Sequence, residues 1–345
     1  MTAPIHIDRR VNAAAPAPPE YRGIARDAVR MLVAMPEGTT HARFRDLADH
    51  LRAGDLLVVN DSATVNGEID ARIGSEPAVL HVATQLDDGS SVVEVRTAPD
   101  AMRSVLDLEP GISLRVGPVE VQLRTPYPHA GSSPTGAGNR LWRANVSGGL
   151  DAELRRRGRP IAYGYLDRRY PLSAYQSVFS RRPGSAEMPS AGRPFTTRLV
   201  TELVAQGVRF APVTLHTGVS SQETGEGPQP ERFEVSGQTA ALVNATRAEG
   251  GRVVAVGTTV TRALESAVRG GVVAQARGWT DRVVTPSEPP QVVSGLITGW
   301  HDPEASHLQL VEAVAGAELT YAAYAEAAAR GYLWHEFGDS ALLLP

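Results

Sequence analysis

Two threonines follow a short apolar run, where hydroxyl and backbone N–H groups could bind a substrate. The run Val253–Val256 has no polar alternation, which is typical of a parallel strand covered on both faces. Gly257 allows a tight turn, and Thr258 and Thr259 are then expected to cap a following helix. Because ligands of α/β sheets usually bind at the carboxyl ends of strands, these three residues are predicted to bind substrate. The alternative is an ordinary strand-to-helix turn capped by threonine.

Two histidines lie at corresponding places after other predicted strands. His216 ends the strand pattern at 208–215, and His301 follows the pattern at 292–297. His216 is either a general base or hydrogen-bond donor, or a core histidine bonded to a carbonyl. The coincidence of two histidines and a threonine pair after strands favours a common cleft. His307, in the next predicted helix, is expected on the surface.

Arginines alternate with aromatic residues between residues 155 and 182, a mixture that can bind phosphates and stack on unpaired RNA bases. The alternative is a solvated helix face followed by core tyrosines. The next segment, Ser180–Phe195, is dense in Gly, Pro and Ser. It either lets the backbone approach a ligand closely or is a surface connector.

Composition excludes several kinds of chemistry. The chain has no Cys, which rules out thiolate nucleophiles and disulfides, and all 34 basic residues are Arg, which rules out a Schiff-base lysine. No paired histidines have metal-ligand spacing, so the sequence gives no support to a metal site. A net charge of −4 and no apolar stretch of about 18 residues indicate an ordinary globular protein without a signal peptide or membrane span.

The elements that position these residues fall into two patterns. Short alternating runs separated by turn signals occupy the middle of the first half and indicate an antiparallel β-barrel or sandwich. Strand and helix patterns alternate on both sides of it, with helices predicted at 44–51, 196–206 and 238–247. We therefore expect an α/β fold in two domains: an α/β catalytic domain from residues 1–66 and 150–345, and an inserted antiparallel β-barrel domain at 67–149.

Several segments together resemble the S-adenosylmethionine:tRNA ribosyltransferase-isomerase family of queuosine biosynthesis. The matching pieces are GDLLVVNDS, YQSVFSRRPGSAEMPSAGRPF, VTLHTGV, VNATRAEGGRVVAVGTTVTRALES, GWTD, ITGWHDPEAS and GYLWHEFGDSALLL. The resemblance implies a monomeric cytoplasmic enzyme with an inserted β-barrel. It also implies that the ribosyl part of S-adenosylmethionine, a co-substrate used without a further cofactor, is moved to 7-aminomethyl-7-deazaguanine in tRNA and isomerised. The products would be epoxyqueuosine, adenine and methionine.

The chain departs from the family pattern in loops expected near the site. Arg193 and Pro194 stand where members typically have a histidine after the AG segment. Residues Pro228–Pro230 replace a His-Met-His, and only His301 is kept of an Asn-Phe-His. These departures leave two alternatives open: an enzyme that uses S-adenosylmethionine on a small-molecule acceptor, or a catalytically silent RNA- or nucleotide-binding relative.

The resemblance and the chemistry together give predicted roles. The positive sulfur acidifies the C5′ proton, so His216 or Glu231 is the predicted base, and His301 or Arg262 would help adenine leave. The predicted substrate-binding residues are Gly257, Thr258, Thr259, Ser190, Gly192 and, for the substrate ammonium, Asp339. The predicted tRNA-binding residues are Arg168, Arg169, Arg181 and Arg182. The polar segment 218–230 is interpreted as a solvated loop or a lid ordered by substrate.

Overall fold

The computed structural model describes residues 14–133, 136–220, 226–301 and 306–345. These residues form nineteen strands, numbered β1 to β19 in chain order: Arg30–Met35, Gly38–Arg43, Leu56–Asn60, Ser62–Thr64, Glu68–Ile73, Glu76–Gln85, Ser91–Thr97, Ser113–Val116, Val119–Pro126, Leu141–Val146, Arg182–Ser185, Arg209–His216, Glu231–Val235, Val253–Val256, Val268–Arg269, Val272–Val273, Ala276–Thr280, Gly295–Gly299 and Ser340–Leu343.

The same part of the chain forms six α-helices. They are numbered α1 to α6: Leu150–Arg157, Thr197–Ala205, Gly237–Ala248, Thr258–Ser266, Ser306–Ala315 and Ala317–Ala329. The helices predicted at 196–206 and 238–247 are confirmed as α2 and α3. The helix predicted at 44–51 is a 3₁₀-helix instead, Phe44–His50. None of the helices in the described ranges combines the length and apolar character that a bilayer span requires.

A nine-stranded mixed sheet forms the centre of the molecule, in the order β17-β13-β12-β3-β14-β18-β19-β1-β2. The central strand β14 is parallel to both of its neighbours, β3 and β18. Apolar side chains from α3 to α6 cover one face, and those of α2 and the 3₁₀-helix Phe44–His50 cover the other. The predicted α/β class is therefore confirmed. Strands β19 and β1, which are far apart in the sequence, are neighbours in the sheet and pair in parallel.

Six antiparallel strands between β3 and α1 close into a barrel, in the order β10-β7-β6-β5-β8-β9. Its interior is packed with aliphatic side chains around the fully buried Trp142. The expected antiparallel barrel is thus confirmed, and its strands run from Glu68 to Val146. The division into domains at 66/67 and 149/150 stays a prediction.

A row of buried charged residues lies on the outer side of the barrel, on neighbouring strands. The His81 ring lies between two carboxylates, with Nε2 3.0 Å from Glu68 and Nδ1 3.5 Å from Glu94. Arg96 donates to Glu94 at 2.6 Å, and Arg140 lies 3.3 Å from the same carboxylate. Burial opposes ionisation of Glu94, but the hydrogen bond from His81 and the charges of Arg140 and Arg96 outweigh it and lower its pKa to about 2.

We expect this row to make stability depend on acid pH. Glu94 has an ordinary pKa of 4.5 and a lowered one in the fold, so its contribution is complete above the ordinary value and is lost as the pH falls towards about 2. The difference in unfolding free energy between the wild type and Glu94→Gln should therefore shrink with falling pH. Urea unfolding at several pH values measures it. Glu109→Gln, at an exposed position, should show no such trend, and a pH-independent difference for Glu94→Gln would contradict the argument.

Candidate functional site

The turn between β14 and α4 has the predicted form but a different cap. All four residues of β14 are buried. Gly257 has a φ of +99° and is itself the N-cap of α4, with no side-chain cap. The expectation that Thr258 and Thr259 cap the helix is therefore wrong, because both already lie inside its first turn. Their backbone N–H groups have no partner within the helix by geometry, so they can bind an anion or a hydroxyl.

A cavity of about 620 Å³ opens at this end of the sheet. Its lining includes the predicted residues Gly257, Thr258, Thr259, Arg262, His301 and Ser190. The barrel also contributes to the cavity, through Arg96 and Met102. The cavity therefore lies where the carboxyl ends of central strands meet the barrel, which agrees with the usual ligand position in α/β folds.

His301 and His307 pack against each other in this cavity, with ring centroids 4.0 Å apart. The Nε2 atom of His307 is 2.9 Å from the Thr258 hydroxyl. The expected surface position of His307 is therefore wrong; the first turns of α4 and α5 pack together and turn this ring inward. Burial lowers the pKa of His301 well below its usual value, and burial together with Arg262 lowers that of His307 to about 4. Both rings are neutral near pH 7.

Glu231 and Arg262 form an ion pair on the cavity wall. Glu231 begins β13, and its carboxylate also accepts the backbone N–H of Gly218 at 3.1 Å. Burial raises the pKa of Glu231, although Arg262 opposes the rise. The Arg262 guanidinium also donates to the carbonyl of Arg282 at 3.0 Å, so its position is fixed from two sides. The pair combines a carboxylate of increased basicity with a rigid cation.

His216 lies outside the cavity, so its predicted position beside the threonines is wrong. It ends β12 as expected, but its ring packs beneath Gly184 of β11. A Cβ on Gly184 would lie 2.8 Å from two of the ring atoms. The next residues, Thr217 and Gly218, do line the cavity. A sequence shows where a strand ends, but a shift of one residue decides which face the last side chain takes.

Asp339 does not line this cavity but lines a smaller pocket beside it, which shares Ser190, Gly299 and Glu336 with the cavity. Its carboxylate forms a 2.9 Å ion pair with Arg30 and accepts the backbone N–H groups of Arg30 and Leu333. These bonds join β1 to the segment before β19. Asp339 thus holds these two segments together, and its predicted contact with the substrate stays a prediction.

The loop predicted to approach a ligand does so at one of its two residues. Ser190 lines the cavity, whereas Gly192 packs against the Phe179 ring. Arg193, one of the departures from the family pattern, is buried; it donates to Glu20 at 2.9 Å and to the carbonyl of Ala174 at 2.8 Å. The departure at Arg193 therefore affects packing beside the site and not the cavity wall.

The segment 218–230 borders the cavity at both of its ends. Pro228 and Gln229 line it, and so do Gly218, Val219 and Ser220. Glu226 pairs with Arg140 of the barrel side at 2.6 Å. Residues 221–225 lie outside the described residues, so the interpretation as a lid stays a prediction.

The four arginines predicted to bind tRNA have different surroundings. Arg169 pairs with the buried Glu68 at 2.6 Å, and Arg182 pairs with Glu234 at 2.9 Å. Arg168 is exposed and lies over the Tyr170 ring at 5.3 Å. Arg181 is exposed.

Sequence reasoning missed two acidic residues of the cavity, Glu187 and Glu336. They accept hydrogen bonds from Tyr163 and Tyr165. In the sequence both tyrosines belong to the aromatic residues that alternate with arginines between residues 155 and 182. Glu187 and Glu336 lie in two of the segments that resemble the family, YQSVFSRRPGSAEMPSAGRPF and GYLWHEFGDSALLL, and this was the signal available for both.

Comparison with known proteins gives one consistent result. The family model described as "Queuosine biosynthesis protein" matches residues 6–343. Proteins named S-adenosylmethionine:tRNA ribosyltransferase-isomerase from Anaeromyxobacter dehalogenans and Thermus thermophilus are each 36% identical, with 92% of this chain and 93% of theirs covered. The crystal structure of S-adenosylmethionine tRNA ribosyltransferase from Thermotoga maritima is 26% identical, with a TM-score of 0.52 and 98% of each chain covered.

Proposed function

The chain belongs to the queuosine biosynthesis family of S-adenosylmethionine:tRNA ribosyltransferase-isomerases, and we propose that the cavity at the carboxyl end of β14 carries out that reaction. The ribosyl part of S-adenosylmethionine is transferred to 7-aminomethyl-7-deazaguanine in tRNA and isomerised to epoxyqueuosine, with release of adenine and methionine. The observation that carries this proposal is the meeting of Thr258, His301 and the Glu231–Arg262 pair in one cavity of about 620 Å³, a volume usual for small-molecule sites.

Glu231 is the proposed base. The positive sulfur of the substrate acidifies the neighbouring C5′–H bond, so a carboxylate of raised pKa can take that proton and leave the electron pair on C5′. Arg262 and the Gly218 N–H hold the carboxylate in place. His216 is not proposed for this step because its ring lies outside the cavity.

His301 is proposed to assist the departure of adenine. Its neutral ring can donate an N–H hydrogen bond to a nitrogen of the leaving base. Arg262 is committed to Glu231 and is therefore the weaker candidate. The first-turn N–H groups of Thr258 and Thr259 would orient the methionyl carboxylate or the ribose hydroxyls.

One incubation tests the proposed reaction against its alternatives. Purified protein is mixed with S-adenosylmethionine and tRNA carrying the precursor base, and free adenine and the altered nucleoside are measured. We expect both products. Adenine release only with a small-molecule acceptor would select the small-acceptor enzyme, and saturable binding without turnover would select a silent binding protein.

We expect Arg181 to contribute to tRNA binding by charge alone. Arg181→Ala should weaken binding to modified and unmodified tRNA equally, and it should reduce the slope of log affinity against log salt by about one. Fluorescence titrations at several salt concentrations measure this. Arg198→Ala is the control: Arg198 is 67% exposed and lies on α2. An equal change of slope in both variants would contradict a role specific to Arg181.

We further propose that the enzyme acts as a monomer in the cytoplasm, where tRNA is modified. S-adenosylmethionine is consumed as a co-substrate, and the proposed steps use side chains and backbone groups of this chain without a further cofactor. The measured mass in solution, with and without tRNA, tests the monomeric state.

A further inference from the structure

One wall of the cavity is formed by stacked rings and two carboxyl groups. The Tyr165 ring lies on His335 with centroids 4.4 Å apart and 12° between the planes, and Tyr163 follows at 6.1 Å. The Tyr163 hydroxyl donates to Glu187, and the Tyr165 hydroxyl donates to Glu336. These five residues, all of which line the cavity, are called the acidic aromatic wall. They come from segments other than the β14–α4 turn.

The two carboxyl groups of this wall differ from the third acid in the cavity, Glu231, in whether an arginine pairs with them. Glu231 is paired with Arg262, whereas neither Glu187 nor Glu336 forms an ion pair with an arginine of the described residues. Burial raises the pKa of Glu187 and raises that of Glu336 to about 7. A cationic ligand group would supply the missing positive charge and favour the ionised carboxylates.

The partners of the two carboxyl groups single out Glu336. The Glu187 carboxylate accepts the Tyr163 hydroxyl and both the N–H and the hydroxyl of Ser220. The Glu336 carboxylate accepts the Tyr165 hydroxyl and its own backbone N–H. Its remaining lone pairs can therefore accept from a ligand.

The wall lies beside a residue of the cavity lining that is exposed to solvent. Met102 from the barrel lines the cavity and is 53% exposed. It lies against Gly164, between the two tyrosines, where a Cβ would be only 2.6 Å from its terminal carbon. A base that is still attached to a large RNA must reach the interior from solvent, and the exposed Met102 places this wall near the surface.

We propose, on the basis of the function proposed above, that the acidic aromatic wall is the subsite for the acceptor base and that Glu336 holds its aminomethyl ammonium group. The acceptor base is a flat ring system with a positively charged substituent. Aromatic rings attract cations, and a carboxylate forms a charge-assisted hydrogen bond with an ammonium group. The wall therefore matches the base in both respects.

The test compares two tRNAs that differ only in the charge of one substituent. One carries 7-aminomethyl-7-deazaguanine and the other the neutral 7-cyano-7-deazaguanine, so the ratio of their dissociation constants cancels the phosphate contacts. The wild type should prefer the cationic base by about tenfold. Glu336→Gln should bring the ratio close to one and leave the affinity for S-adenosylmethionine, measured without tRNA, unchanged.

Two further variants keep the result decisive. Glu318→Gln, at an exposed position on α6, should keep the wild-type ratio. Tyr165→Phe keeps the ring but removes the hydroxyl that holds Glu336, so it should give an intermediate ratio even if Glu336→Gln fails to fold. A wild-type ratio of one, an unchanged ratio in Glu336→Gln, or a loss confined to S-adenosylmethionine affinity would overturn the inference. If only the inference is wrong, wild-type protein still releases adenine with the modified tRNA; if the proposed function is wrong, it releases none.

Discussion

Replacing Glu231 by Gln is expected to lower the rate of adenine release by about a hundredfold to ten-thousandfold, the usual contribution of a positioned general base. Gln keeps the size of the side chain and can still accept the N–H of Gly218, but it cannot take the C5′ proton. The affinity for S-adenosylmethionine should change little. Single-turnover release of adenine, with saturating S-adenosylmethionine and modified tRNA, measures the effect.

Two controls define what this result means. Glu234→Gln changes an acid on the same strand that pairs with Arg182 at the surface, and it should keep the wild-type rate. His216→Ala should also keep it, because the ring lies under Gly184 and not in the cavity. A normal rate in Glu231→Gln together with a large loss in His216→Ala would show that the base has been assigned to the wrong residue.

Replacing Arg252 by Ala is expected to lower the free energy of unfolding by about 3 kcal/mol, because it removes the nearer of the two arginines that pair with a buried carboxylate and leaves only the exposed Arg52 at 3.6 Å. Asp55 is fully buried at the start of β3. Its Oδ1 accepts the Arg252 Nε–H at 3.0 Å, and its Oδ2 accepts an Nη2–H at 2.5 Å. Burial opposes ionisation of Asp55, but Arg252 outweighs it and lowers the pKa. Urea unfolding near pH 7 measures the loss.

The matched control is an ion pair at the surface. Arg330 is 64% exposed and pairs with Glu326 at 3.0 Å, so Arg330→Ala should cost less than about 1 kcal/mol. Similar losses in the two variants would show that burial of Asp55 does not govern the strength of its pair.

The sequence predicted the parts of the fold that have a strong local pattern. The continuous apolar run of β14 identified a central parallel strand, and the period-two runs identified the barrel. The strand predicted at 292–297 is observed as β18, Gly295–Gly299, which begins three residues later than predicted. Strands β1, β2, β13, β17 and β19 were not predicted, since most are short or only partly buried and their pairing depends on distant segments.

The sequence predicted where the candidate site lies, but it did not predict which side chains contact each other there. The glycine-threonine turn located the cavity, and His301, Arg262 and Glu231 fall within it. The predicted position of the His216 ring was wrong because side chains alternate between the two faces along β12, and this alternation decides which face the last residue takes. The pairing of Asp339 with Arg30 could not be predicted because the two residues are 309 positions apart. Conversely, Glu336 was overlooked because only the folded chain brings it to Tyr165, 171 positions away.

The place of β19 has a consequence for synthesis on the ribosome. Residues 340–343 form β19, which lies between β18 and β1. Strand β1 is synthesised early, so it can pair with β19 only after almost the whole chain has left the ribosome. Until then the edges of β1 and β18 are open to pairing with other chains. A chain cut short just before β19 should consequently be a target for chaperones and proteases, even though it would still contain every residue proposed here to touch a substrate.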